Sequence, residues 1–280
     1  MASPVPCRPN PFIESRLMPL LRPDAAVDRI VGLPRGGGAI RPHIRGRVLE
    51  ILIDHPQAAG AVSPGMMVDL VSVVDTLPQY AGWPVVVHSS APRAFCAGGD
   101  LRSVRAHLME NEAASAMVDV LTWALDRLSA HSGVVLAAVE GPALGGGAEF
   151  LTACDHLVLS TSARVGFVHA SLGVSPGWGG AGRLVRRVGR RHALMWLADP
   201  RPRSAEACAR MGMADQVVPA GAALESAQGL AADLARSPEG ARAAVAALVK
   251  GGAETERATF LRLWGGADHL AALAAVRAGR

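Results

Sequence analysis

Two hydrophobic patterns alternate along this chain, and the switches between them mark out its elements. The run Val48-Leu49-Glu50-Ile51-Leu52-Ile53 is apolar at nearly every position and ends on the turn residues Asp54-His55-Pro56, which predicts a strand. Pro84-Val85-Val86-Val87-His88 and the stretch 134–139 are uninterrupted in the same way, as parallel strands buried on both faces are. Between them the spacing is helical. Ser63-Pro64 offers an N-cap and a first helical position for a helix reaching about residue 77. A second helix is expected from about 113 to 130. Extended segments follow at 156–160 and 164–168, and beyond Gly182 the pattern is mostly helical. Strands alternating with helices predict right-handed crossovers, hence an α/β core followed by a helical C-terminal part.

Residues 1–45 carry Pro, Arg and the triplet Gly36-Gly37-Gly38 without sustained periodicity, and are expected to form a partly ordered N-terminal arm. The core is expected over 46–218 and the helical region over 219–280. The most apolar stretch, 133–154, is broken by Glu140 and Glu149, so no membrane span is expected, and no signal-peptide core precedes it.

Composition narrows the classes further. With 50% hydrophobic residues in 280, disordered and collagen-like chains are excluded. Cys7, Cys96, Cys154 and Cys208 form no CxxC pair and have no histidine at ligand spacing, so no metal is expected and reduced, cytoplasmic thiols are. The net charge of +4 comes from arginines, Lys250 being the only lysine. Apart from Arg183, Arg186, Arg187, Arg190 and Arg191 they are scattered, which suits a polyanionic small molecule at least as well as nucleic acid.

Two glycine-bearing segments each follow a strand and precede a helix: Phe95-Cys96-Ala97-Gly98-Gly99-Asp100 and Leu144-Gly145-Gly146-Gly147-Ala148-Glu149. Glycine lets a ligand approach the backbone, and a helix start offers unpaired N–H groups. Either loop alone also reads as a tight turn. Together they suggest paired donors around one oxygen.

The segments 94–101 and 141–149 resemble the two signature stretches of the crotonase (enoyl-CoA hydratase/isomerase) superfamily. His55-Pro56 with Gly60-Ala61-Val62-Ser63 is similar to the family's first CoA-facing turn, and Gly173-Val174-Ser175-Pro176-Gly177-Trp178-Gly179-Gly180 to its third loop. The run 146–155, Phe167-Val168-His169 and the late Leu263-Trp264-Gly265-Gly266 most resemble the ethylmalonyl-CoA decarboxylase branch. The resemblance implies a crotonase-like spiral of ββα units with a helical C-terminal trimerisation region, and a homotrimer or dimer of trimers. It also implies an acyl-CoA thioester substrate, with CoA part of the substrate and no separate cofactor. The oxyanion hole would be the backbone N–H groups of Gly99 and Gly146. Ala97, Gly98, Asp100, Gly145 and Trp178 would face the substrate, with Arg93 and Arg102 near the CoA phosphates.

Side chains decide which enolate reaction follows. In hydratases of the superfamily two glutamates activate water; here the first position matches Glu149 and the second falls on His169. A carboxylate with an imidazole is a different acid–base device. The implied activity is therefore cofactor-independent decarboxylation of an alkylmalonyl-type (ethylmalonyl or methylmalonyl) CoA thioester, with Trp178 as an apolar wall and His169 or Glu149 as proton donor. An enoyl-CoA hydratase/isomerase or other crotonase-type lyase is the alternative, and a binding protein that kept only the fold is a third. Plainer roles stand beside each assignment: Glu149 complementing a helix dipole, Asp100 capping a helix, Asp155 in a turn, Trp178, Trp264 and His169 packing, Arg93 and Arg102 solvated.

Overall fold

The computed structural model describes residues 21–251 and 254–277. Its strands are β1 (Ala39–Arg45), β2 (Val48–Asp54), β3 (Val85–Ser89), β4 (Val135–Val139), β5 (Ala143–Leu144), β6 (His156–Ser160), β7 (Arg164–Gly166), β8 (Arg203–Ser204) and β9 (Gln216–Val218). The helices are α1 (Asp24–Val31), α2 (Pro64–Thr76), α3 (Leu101–His107), α4 (Asn111–Ser129), α5 (Gly146–Leu151), α6 (Gly180–Ala198), α7 (Ala205–Arg210), α8 (Ala223–Leu234), α9 (Glu239–Val249), α10 (Glu256–Leu263) and α11 (Ala267–Arg277).

A six-stranded sheet in the order β1-β2-β3-β4-β6-β9 is parallel except for the β1–β2 pair. A second layer is built from short pieces: Val62 bridges Gly99, Cys96 bridges Ala143, and β5 pairs with β7, which pairs with β8. Successive turns of the chain thus give a long strand, a short strand and a helix, which is the ββα spiral.

Burial on both faces explains the uninterrupted apolar runs. Leu49, Ile51, Val85, Val87, Val135 and Ala137 meet Met66, Leu70, Val74, Leu121 and Leu125 of α2 and α4 in the larger core. Val48, Val86, Leu136, Ala138 and Val158 lie on the opposite face, closed by Ala223, Ala227 and Ala231 of α8. Alanines four apart on one helix face let α8 sit close to the sheet. The region after residue 219 therefore begins as part of the core.

Part of the expected arm, residues 24–31 and 39–45, is also built into the fold. α1 buries Val27 and Ile30 against α2 and α4, and Arg29 pairs with Glu112 at 2.8 Å. β1 is an edge strand that tolerates Pro42, whose missing N–H would break a central ladder. The glycine triplet lies against His55 and Ser63. A methyl group added at Gly37 would stand 2.7 Å from His55 Nε2, and one at Gly38 2.6 Å from His55 Cγ. Residues 1–20, Cys7 among them, lie outside the described residues. Farther on, α9 is tied down by Lys250, whose Nζ donates to the carbonyls of His131 and Gly133 and to Asp155 Oδ2 at 2.7–3.0 Å. α10 and α11 leave Phe260, Leu261, Trp264, Leu270 and Leu273 exposed. Among the described residues no helix is long and apolar enough to cross a membrane.

Candidate active site

The second layer brings the two glycine segments together. Val62 N–H donates to Gly98 O and Asp100 N–H to Val62 O, while Phe95 N–H donates to Pro142 O and Leu144 N–H to Cys96 O. This lacing sets Gly98 beside α5: a methyl group at Gly98 would stand 3.1 Å from both Gly146 N and Leu144 O. Gly98 N–H turns back to Cys96 Sγ at 3.4 Å. No described residue accepts from Gly99 N–H or Gly146 N–H, the latter being at the open start of a helix. Trp178, 5% exposed, spans the pair. Its indole Cη2 would lie 2.3 Å from a methyl at Gly146, and its Cζ2 3.9 Å from one at Gly99.

Glu149 is fully buried in the first turn of α5, yet its carboxylate belongs to a different helix. Oε2 accepts from Trp178 N–H at 2.8 Å and Gly180 N–H at 2.9 Å, and Oε1 from Gly177 N–H at 3.2 Å. These are donors at the N-terminus of α6, where a negative charge meets the positive end of the helix dipole. Oε1 also lies 3.0 Å from His169 Nε2. A carboxylate only accepts, so Nε2 donates. His169 Nδ1 is then the ring atom left over; it is buried and has no partner among the described residues. The imidazole faces Gly145, a methyl there falling 3.9 Å from Nε2.

The remaining expected residues divide. Gly145 caps α5 and donates to Gly166 O at 2.8 Å, and Ala97 donates to Ala59 O at 3.0 Å. Asp100 is the N-cap of α3, accepting from Arg102 N–H at 3.1 Å and Ser103 Oγ–H at 2.8 Å, so its carboxylate is committed to the helix. Arg102 is exposed and lines a cavity of about 520 Å³ with Gly36, Gly37, His55, Gln57 and Asp100. Arg93 is exposed and its backbone packs on Gly141, apart from that cavity's lining. The sequence reading overlooked Gly36 and Gly37 as lining residues, because a glycine triplet in a Pro- and Arg-rich stretch carries the signal of a linker. Burial pushes the thiols of Cys96, Cys154 and Cys208 up to about 12, so they are inert as nucleophiles.

Comparison with known proteins agrees with this fold. The enoyl-CoA hydratase/isomerase family model matches residues 43–263. An ethylmalonyl-CoA decarboxylase of Danio rerio is 32% identical, covering 88% of this chain and 86% of that protein. A 2,3-dehydroadipyl-CoA hydratase of Escherichia coli K12 is also 32% identical, over 72% of this chain and 78% of its own. Among solved structures, an enoyl-CoA hydratase from Bacillus anthracis superposes with a TM-score of 0.81 at 25% identity, covering 86% of this chain and 96% of that one.

Proposed function

Since the chain belongs to the enoyl-CoA hydratase/isomerase family, we propose that it is a decarboxylase of an alkylmalonyl-type CoA thioester. The observation that carries this reading is the state of Glu149. All its acceptor directions are taken by three backbone N–H groups and His169, so it has none left to hold and activate a water. Hydration by a pair of carboxylates therefore loses both members, the second position being a histidine.

The reaction needs only an electron sink and a proton. The bond between the α-carbon and the carboxylate breaks, carbon dioxide leaves, and the electron pair moves into the enolate of the thioester. Its oxygen would accept from Gly99 and Gly146 N–H, donors with no competing partner among the described residues. Removing one such donor typically lowers kcat by about 10²–10³. The face of the Trp178 indole laid against Gly146 offers a carboxylate no hydrogen bond, which favours its loss. The enolate carbon then takes a proton from His169 Nδ1, which the ring must first gain from water, while Nε2–H stays on Glu149 and fixes the ring. No cofactor is required beyond the CoA that the substrate carries, and Arg102 on the neighbouring cavity suits its phosphates. The exposed apolar side chains of α10 and α11 support assembly as a trimer or dimer of trimers.

The test is a thioester panel. Carbon dioxide release from ethylmalonyl-CoA or methylmalonyl-CoA, with little hydration of crotonyl-CoA, is the expected outcome. Hydration of crotonyl-CoA without carbon dioxide release from either malonyl thioester would replace this reading with that of a hydratase, as the similarity to the Escherichia coli enzyme allows.

A further inference from the structure

Arg183 occupies the first turn of α6, a poor place for a cation, because it stands at the positive end of the helix dipole. It is also only 3% exposed, and burial holds its guanidinium below the usual arginine range, with Asp126 acting in the opposite direction. Its acceptors account for it. Nη1 donates to the Asp126 carboxylate of α4, Nε to Thr152 Oγ1 at 3.1 Å just after α5, and Nη2 to the carbonyl of Trp178. Thr152 in turn donates its hydroxyl to the carbonyl of Glu149.

Trp178 is therefore gripped from both sides. Its N–H goes to Glu149 Oε2 and its carbonyl to Arg183. Thr122 of α4 adds a bond to the carbonyl of Gly177 at 3.2 Å. We infer that Arg183 is a positioning residue for the reaction: by joining α4, α5 and the turn 177–180, it keeps the Glu149–His169 pair and the Trp178 indole in register with Gly99 and Gly146. This rests on the reading of that site given above. Three acceptors on three elements call for the planar fork of a guanidinium, and a lysine ammonium at this depth would leave at least one of them unmet.

Arg183→Lys and Asp126→Asn test the inference, the second leaving the buried cation in place and removing only its charged partner. Both are expected to keep the parental circular dichroism and a near-parental KM. Their kcat should fall by up to about 10²-fold, the scale of a small misplacement of reacting groups. The pH–rate profile should move as well, since His169 no longer faces a fixed carboxylate. Arg183→Ala should regain part of its kcat on addition of guanidinium at non-denaturing concentration. Parental kcat and pH–rate profile in both Arg183→Lys and Asp126→Asn would overturn the inference. So would losses that track only the folded fraction, without rescue by guanidinium. These assays use whichever thioester reaction the parent catalyses, so a parent that only hydrates would remove the decarboxylase reading and still leave Arg183 to be judged on its hydration rate.

Discussion

Glu149 directs its whole carboxylate into the protein, and that fact separates what it does from what its position in the sequence implies. The two glycine segments were legible as residue types between a strand and a helix, and Glu149 and His169 only as the positions that the family resemblance singles out. Which oxygens stay free was not, because the partners are backbone N–H groups 28 to 31 residues further on, and backbone donors leave no mark in a sequence. Trp178 was legible as an aromatic beside glycines; that it lies across Gly146 was not. This contact gives a prediction. Gly146→Ala puts a methyl group where Cη2 of the indole stands 2.3 Å away, so the ring must move off the proposed oxyanion donors. In the parent background kcat/KM should drop by about tenfold or more, and in a Trp178→Ala background the same methyl should cost much less. A double-mutant cycle should report coupling of about 0.5–3 kcal/mol; additive losses would mean that the two groups act independently.

At the level of elements, continuous apolar runs identified β2, β3 and β4 because both sheet faces are covered, and Ser63 identified α2 because its Oγ does accept from Met66 N–H. The elements that escaped, α1, β1, the two-residue strands β5 and β8, and β9 at the far edge of the large sheet, are those whose fit depends on neighbours. β1 exposes most of its side chains and so shows no alternation to read. Packed elements also carry buried histidines. His88 on β3 and His131 just before β4 are held below the ordinary histidine value, in each case chiefly by burial. The unfolded chain then binds more protons than the folded one in the window just below pH 6.5, so stability is complete above about pH 6.5 and declines as pH falls through that window. Denaturant midpoints measured against pH should follow this slope, and His131→Gln should flatten it. A midpoint that rises on mild acidification would have the wrong sign.

The whole molecule is a spiral whose second layer carries the candidate site, with α8 sealing the far face of the large sheet and α10 and α11 reaching outward. An exposed row of Phe260, Leu261, Trp264, Leu270 and Leu273 is a poor surface for a lone subunit. Light scattering should give a trimer or hexamer, and Leu270→Glu with Trp264→Glu should yield smaller species; a stable monomer for the parent at micromolar concentration would refute the assembly. On the proposed reading the assembled site divides the work: the glycine N–H groups and the apolar wall would release carbon dioxide, and His169, fixed by Glu149, would deliver the proton. Decarboxylation of ethylmalonyl-CoA in deuterium oxide by the parent and by His169→Ala tests that division directly. The parent should give butyryl-CoA with one α-deuterium in a single configuration, and the variant should still release carbon dioxide while placing deuterium on both faces. Complete loss of carbon dioxide release in a folded His169→Ala protein, or an unchanged single configuration, would contradict it.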